Sequence, residues 1–109
     1  MKILISTLVR NNEKWLPTFY MMCQKLKNNR NDINFDVHVY ENDSTDGTRY
    51  HLKGNYVSQN LGHSFDRYSR TTRLALYRND IKNYIKDLDS YDYVLMVDSN
   101  ILFDTKAFN

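Results

Sequence analysis

A chain of 109 residues holds one domain with one modest core and leaves no room for a second. With 41% hydrophobic and 26% charged residues, it has the make-up of an ordinary globular domain and not of a disordered segment. The 15 basic and 13 acidic side chains are interspersed and net to +2, so no basic stripe offers a nucleic acid or a membrane surface as partner.

Residues 2–9, KILISTLV, are aliphatic and β-branched with little alternation, which predicts a strand covered on both faces. Lys2 ahead of this run imitates a signal peptide, but the run is short, is interrupted by Ser6 and Thr7, and lacks a small-residue cleavage site. Trp15, Leu16, Phe19, Met22, Cys23 and Leu26 then recur at helical spacing, with Pro17 tolerable in the first turn, and predict an amphipathic helix. After a polar loop at 28–34, Phe35, Val37 and Val39 alternate with Asp36, His38 and Tyr40 as a second strand. Residues 41–48, ENDSTDGT, contain no aliphatic side chain and consist of turn formers, so they read as the loop at that strand's C-terminal end. A helical turn at 50–52, a short third strand at 55–57 and a polar linker at 58–64 follow. The longest helical signal spans 66–88, with Leu74, Tyr77, Ile81, Tyr84, Ile85 and Leu88 on one stripe. Residues 92–97 read as a buried central strand ending at Asp98, Ser99 and Asn100.

Strands alternating with helices predict an α/β fold: a Rossmann-like, mostly parallel sheet flanked by helices. In such sheets ligands bind beyond the strand C-terminal ends. Three polar segments fall on that edge, at 7–12, 41–48 and 98–100, and their convergence is the main functional clue in the residues themselves. On the long helix, Arg70 projects near the centre of the apolar stripe and Arg78 about 70° away, at its border. A guanidinium removed from water needs an anion, so each pairs either with a carboxylate such as Asp98 or with a bound phosphate.

Other patterns carry less. The single Cys23 forms no internal disulfide, and a reducing, cytoplasmic setting suits it. His38, His51 and His63 lack metal-ligand spacing. The run from Asp43 to Gly47 lacks the alternating ligands and terminal Glu of a calcium loop, and Asn42, Asp43, Ser44 is formally a glycosylation acceptor. No stretch approaches the roughly 20 apolar residues of a membrane span.

Taken in order, three stretches resemble one family. YENDSTDGT at 40–48 resembles the DDGSTDGT signature of GT-A glycosyltransferases, STLVRNNEKWL at 6–16 resembles their first strand and helix start, and RTTRLALYRN at 70–79 resembles a stretch of fungal capsule-type mannosyltransferases. The resemblance covers nearly the whole chain and implies residues 1–109 as the nucleotide-sugar-binding, N-terminal half of a GT-A fold, incomplete at the C-terminus. It implies a glycosyltransferase that moves a hexose from GDP-mannose or a UDP-hexose to a hydroxyl of a glycan or protein acceptor. Thr7, Glu41 and Asp43 would then contact the nucleoside, and Arg70 and Arg78 would face the diphosphate. Family members close the fourth strand with Asp-x-Asp; here Asp98, Ser99, Asn100 stand in that place, making Asp98 and Asn100 the implied ligands of Mn²⁺ or Mg²⁺. Asn100 departs from the pattern, because an amide oxygen ligates a hard cation without bringing charge to hold it. The resemblance assigns no catalytic base. A non-catalytic nucleotide-sugar-binding module is the alternative, and a Rossmann-like domain for another ligand is weakened by the lack of a G-x-G-x-x-G loop.

Overall fold

The computed structural model describes residues 1–60, 72, 75, 76, 83, 85 and 87–97. The uninterrupted aliphatic run forms β1 (Lys2–Val9), buried throughout residues 3–9. Its two faces join different clusters: Ile3, Ile5 and Val9 pack on one side, Leu4 and Leu8 on the other. A strand with no solvent face has no reason to alternate, which is why the sequence does not.

The helical stripe forms α1 (Leu16–Asn29), with Trp15 as N-cap and Pro17 in the first turn, where a missing N–H costs nothing. No side chain caps it; instead the Asn12 carbonyl accepts from the amides of Trp15 at 3.1 Å and Leu16 at 2.9 Å. Leu16, Phe19, Cys23 and Leu26 are buried against Ile3, Ile5, Val9, Phe35 and Val39. At about 1.5–3 kcal/mol for each large apolar side chain, this cluster is the larger of the two apolar cores among the described residues. Trp15, expected on the buried stripe, is 38% exposed because it sits at the cap rather than inside the helix.

Strand β2 (Asn34–Asn42) runs parallel to β1 from Lys2↔Asn34 to Val9↔Glu41. It outlasts the expected strand by two residues, which moves Glu41 and Asn42 from the expected loop into the sheet. The extension is made by β3 (Asn55–Gln59), longer than expected, which pairs Glu41↔Ser58 and Asn42↔Gln59. Backbone pairing here outweighs the turn preference of the polar side chains. A 3₁₀ turn at Thr48–His51 connects the two strands.

Strand β4 (Tyr93–Met96) pairs parallel with β1, giving the order β3-β2-β1-β4. The expected Rossmann-like parallel sheet is therefore present. Among the described strands β4 pairs only with β1 and is the outermost, and Tyr93 is 57% exposed, so within the described sheet it is not the buried, central strand expected. An apolar run alone does not distinguish the two. Thr72, Ala75, Leu76 and Asn83 are helical, but the expected helix does not reach Leu88. Ile85 lies outside it, Asp87 adopts a left-handed φ of 59°, and Leu88–Ser90 form a separate 3₁₀ turn. Asp tolerates that conformation better than most residues and leads into the 3₁₀ turn. Ile85 nevertheless packs with Leu4, Leu8 and Tyr40 on the face opposite α1. No helix of the described residues is long and apolar enough to cross a membrane.

Candidate functional site

Strands β2 and β3 lie on one side of β1 and β4 on the other, so the strand order reverses between β1 and β4. A parallel sheet opens a crevice at such a point, beyond the strand C-terminal ends. The segments that follow β1 and β2 reach that end together, and side chains bond them to one another.

Asn11 is the centre of the seam. Its side-chain oxygen accepts from the Thr45 amide at 2.7 Å, the Thr45 hydroxyl at 3.2 Å and the Asp46 amide at 3.3 Å. Its own amide donates to the Ser44 hydroxyl at 3.0 Å. The Asn12 amide donates to Thr48 Oγ1 at 2.7 Å, the Glu13 amide to Asp46 Oδ2 at 3.2 Å, and the Gly47 amide to Glu13 Oε2 at 3.1 Å. Asn11, with φ of 50°, and Asp43, with φ of 52°, take the left-handed turns, a conformation that Asn and Asp side chains tolerate. Gly47 lets Glu13 approach closely: a Cβ there would lie 2.7 Å from Glu13 Cδ, so the carboxylate would have to swing aside.

Glu41 closes the other side of the turn. Its side chain is fully buried, yet Oε1 accepts from Arg49 Nε at 3.1 Å and from the Ser58 hydroxyl at 2.5 Å, and Oε2 accepts from the Ser44 amide at 2.8 Å. Three donors offset the desolvation of the carboxylate. Arg49 Nη2 donates onward to Asn60 Oδ1. Desolvation opposes ionisation of Asp46, but the hydroxyl and amide of Thr48, at 2.5 and 2.9 Å, together with the Glu13 amide, outweigh it and hold its carboxyl below the usual range.

These bonds limit what the turn can bind. Every backbone amide from 44 to 48 already donates to a side chain of this chain. The turn also carries Glu41, Asp43 and Asp46, with Glu13 beside it. It is not a phosphate cradle, which requires free amides and positive potential. Carboxylates and carbonyls instead suit the hydroxyls of a ribose or the N–H groups of a base.

The residues named from the sequence divide accordingly. Thr7 lies inside β1 with no exposed surface, and its hydroxyl has no hydrogen-bond partner among the described residues. Glu41 is the buried tie described above. Asp43, half-buried at the tip of β2, accepts from Asn42 Nδ2 at 2.9 Å and donates its amide to the Gln59 carbonyl at 3.1 Å. Arg70, Arg78, Asp98 and Asn100 lie outside the described residues, and with them the third rim segment, 98–100. Asn42 is 1% exposed, so the Asn42-Asp43-Ser44 acceptor is closed to glycosylation in the folded chain. Among the described residues no group of three or more His, Cys, Asp or Glu is placed to hold a metal ion. His38 is buried on the face opposite α1, and burial pushes its imidazole below the ordinary range. Sequence reasoning included Asn11 and Thr48 in the converging segments 7–12 and 41–48 without singling them out, and missed Glu13 and Arg49. Only Asn11 carries a local signal, since an Asn ending a β-branched run favours a left-handed turn. The chain matches no protein-family model, no curated protein and no solved structure.

Proposed function

We propose that this chain binds a nucleoside-diphosphate sugar and serves as the donor half of a GT-A-type glycosyltransferase, transferring a hexose to a hydroxyl of a glycan or protein. One observation carries the reading. The turn after β1 and the turn at 43–48 after β2, which completes the ENDSTDGT stretch, are cross-bonded into a single acidic rim at the strand C-terminal ends, where the sequence resemblance requires the nucleoside to sit. Because that rim offers acceptors and no free amide, it suits base and ribose. The diphosphate would then fall to the two arginines that the resemblance assigns to it, Arg70 and Arg78.

In this reading Asp98 and the side-chain amide oxygen of Asn100 would hold Mn²⁺ or Mg²⁺ together with the donor's own phosphates. The ion would neutralise the nucleoside diphosphate as it leaves. GDP-mannose is the first donor to test and UDP-hexoses the second. The reducing cytoplasm, which suits the free Cys23 thiol, is the compartment it assigns. Asn100, which lacks the charge of the usual second Asp, favours one competing reading: a nucleotide-sugar-binding module without transfer activity.

Calorimetric titration with GDP, UDP and their sugars, with and without Mn²⁺, tests the proposal. It expects saturable binding that Asp98→Ala and Arg78→Ala each weaken while the fold persists. No heat with any nucleotide, from a chain that unfolds cooperatively, contradicts it.

A further inference from the structure

We propose that the groove between α1 and residues 53–55 binds a small organic anion: one carboxylate or sulfonate on an apolar, ring-sized body. This groove lies at the opposite end of the sheet from the acidic rim, since it is lined by Asp36 and Val37 early in β2 and by Asn55, the first residue of β3. Its volume of about 500 Å³ falls within the roughly 300–1,000 Å³ typical of small-ligand sites.

The walls are of two kinds. Met21, Cys23, Val37 and the Tyr20 ring offer apolar surface to a flat body. Burial pushes the Cys23 thiol up to about 12, so it adds no charge there. Lys27 and Lys53 bring two ammonium groups, the latter with Nζ 5.5 Å from the Tyr20 ring centroid. Asp36 is the one acid in the lining, and its Oδ2 accepts from the Tyr91 hydroxyl at 2.6 Å. Two cations against one engaged carboxylate select an anion.

The groove is also preformed. The Tyr20 hydroxyl donates to the Lys53 carbonyl at 3.3 Å and accepts from the Lys53 amide at 3.1 Å. That pair of hydrogen bonds to the backbone pins residues 53–55 to α1, with Gly54 supplying the left-handed turn at φ of 64°. A site whose walls are fixed before binding loses little ordering entropy when filled. Substituting the Lys53 side chain leaves both backbone bonds in place, so its charge is testable without dismantling the groove.

Titration of the full chain with anilinonaphthalene sulfonate, followed by fluorescence and by amide NMR shifts, tests the proposal. Near-UV circular dichroism checks that the chain stays native, because this dye also lights up partly unfolded protein. Expected are saturable binding at one site, shifts confined to residues 17–27, 36–37 and 53–55, and about fivefold or greater weakening by Lys27→Glu and by Lys53→Glu. The cationic dye thioflavin T should not compete. Unsaturable binding, affinity unchanged in both native variants, or shifts centred on residues 41–48 overturns it. So does displacement by UDP or GDP, which would merge the groove with the donor site.

Discussion

Replacing Glu41 separates a structural tie from a ligand contact. In Glu41→Ala the Ser44 amide and the Ser58 hydroxyl lose their acceptor, and both are partly buried. Each stranded donor costs about 1 kcal/mol here, the low end for a buried group because water reaches both in part. Arg49 is 39% exposed on its side chain, so water replaces most of its pairing and its loss contributes only about 0.5 kcal/mol. Removing the fully buried side-chain carbons adds about 1 kcal/mol. The expected destabilisation is therefore about 3.5 kcal/mol, a large share of the roughly 5–15 kcal/mol of an ordinary domain. Glu41→Gln keeps the shape and one acceptor oxygen and should cost about half as much. Urea unfolding followed by circular dichroism reads both values. A Glu41→Ala loss below about 1 kcal/mol, with an unchanged urea slope, would refute the reasoning.

Three further outcomes follow from the same geometry. Thr7→Val replaces a buried hydroxyl without a partner by a methyl of similar shape and should leave stability unchanged or raise it by up to about 1 kcal/mol; a loss above about 1 kcal/mol in urea unfolding would reveal a hydrogen bond. Gly47→Ala places a methyl against the carboxylate end of the half-exposed Glu13, which can swing aside at the expense of its bond from the Gly47 amide, so it should lower stability in urea unfolding by less than about 1 kcal/mol, and a Glu13→Ala background should remove that conflict. Desolvation and the bond to Asp36 raise the Tyr91 hydroxyl to about 12, so the folded chain keeps a proton that the unfolded chain releases near 10. That stabilisation is complete below pH 10 and is lost as pH rises toward 12. Urea midpoints of the parent chain should therefore fall more steeply over that window than those of Tyr91→Phe, and parallel curves would count against the Tyr91–Asp36 bond.

The parts of the fold that the sequence made legible are those in which one residue's environment repeats along an element. The unbroken run of β1 and the Leu16, Phe19, Cys23, Leu26 stripe of α1 are of this kind. The end of β2 was not legible, because Glu41 and Asn42 look like turn residues until Ser58 and Gln59 pair with them. Burial of Glu41 depends on Arg49, eight residues away, and Ser58, 17 away, and no periodicity reports such a partnership. The same holds for the rim, where Asn11 and Glu13 meet a turn more than 30 positions later. The left-handed Asp87 shows the converse: an apolar stripe continues through Ile85 and Leu88 although the helix does not, since both side chains still find the core by another route.

The most direct test of the account is an amide NMR titration of the native chain with GDP-mannose and with UDP-glucose in the presence of Mg²⁺, which avoids the broadening that Mn²⁺ causes. Nucleotide binding at the strand C-terminal rim predicts saturable shifts concentrated at residues 9–13 and 41–48 and at the end of β4, leaving 17–27 and 53–55 unmoved. Spectra unchanged by either donor, or shifts centred on the groove beneath α1, would contradict it.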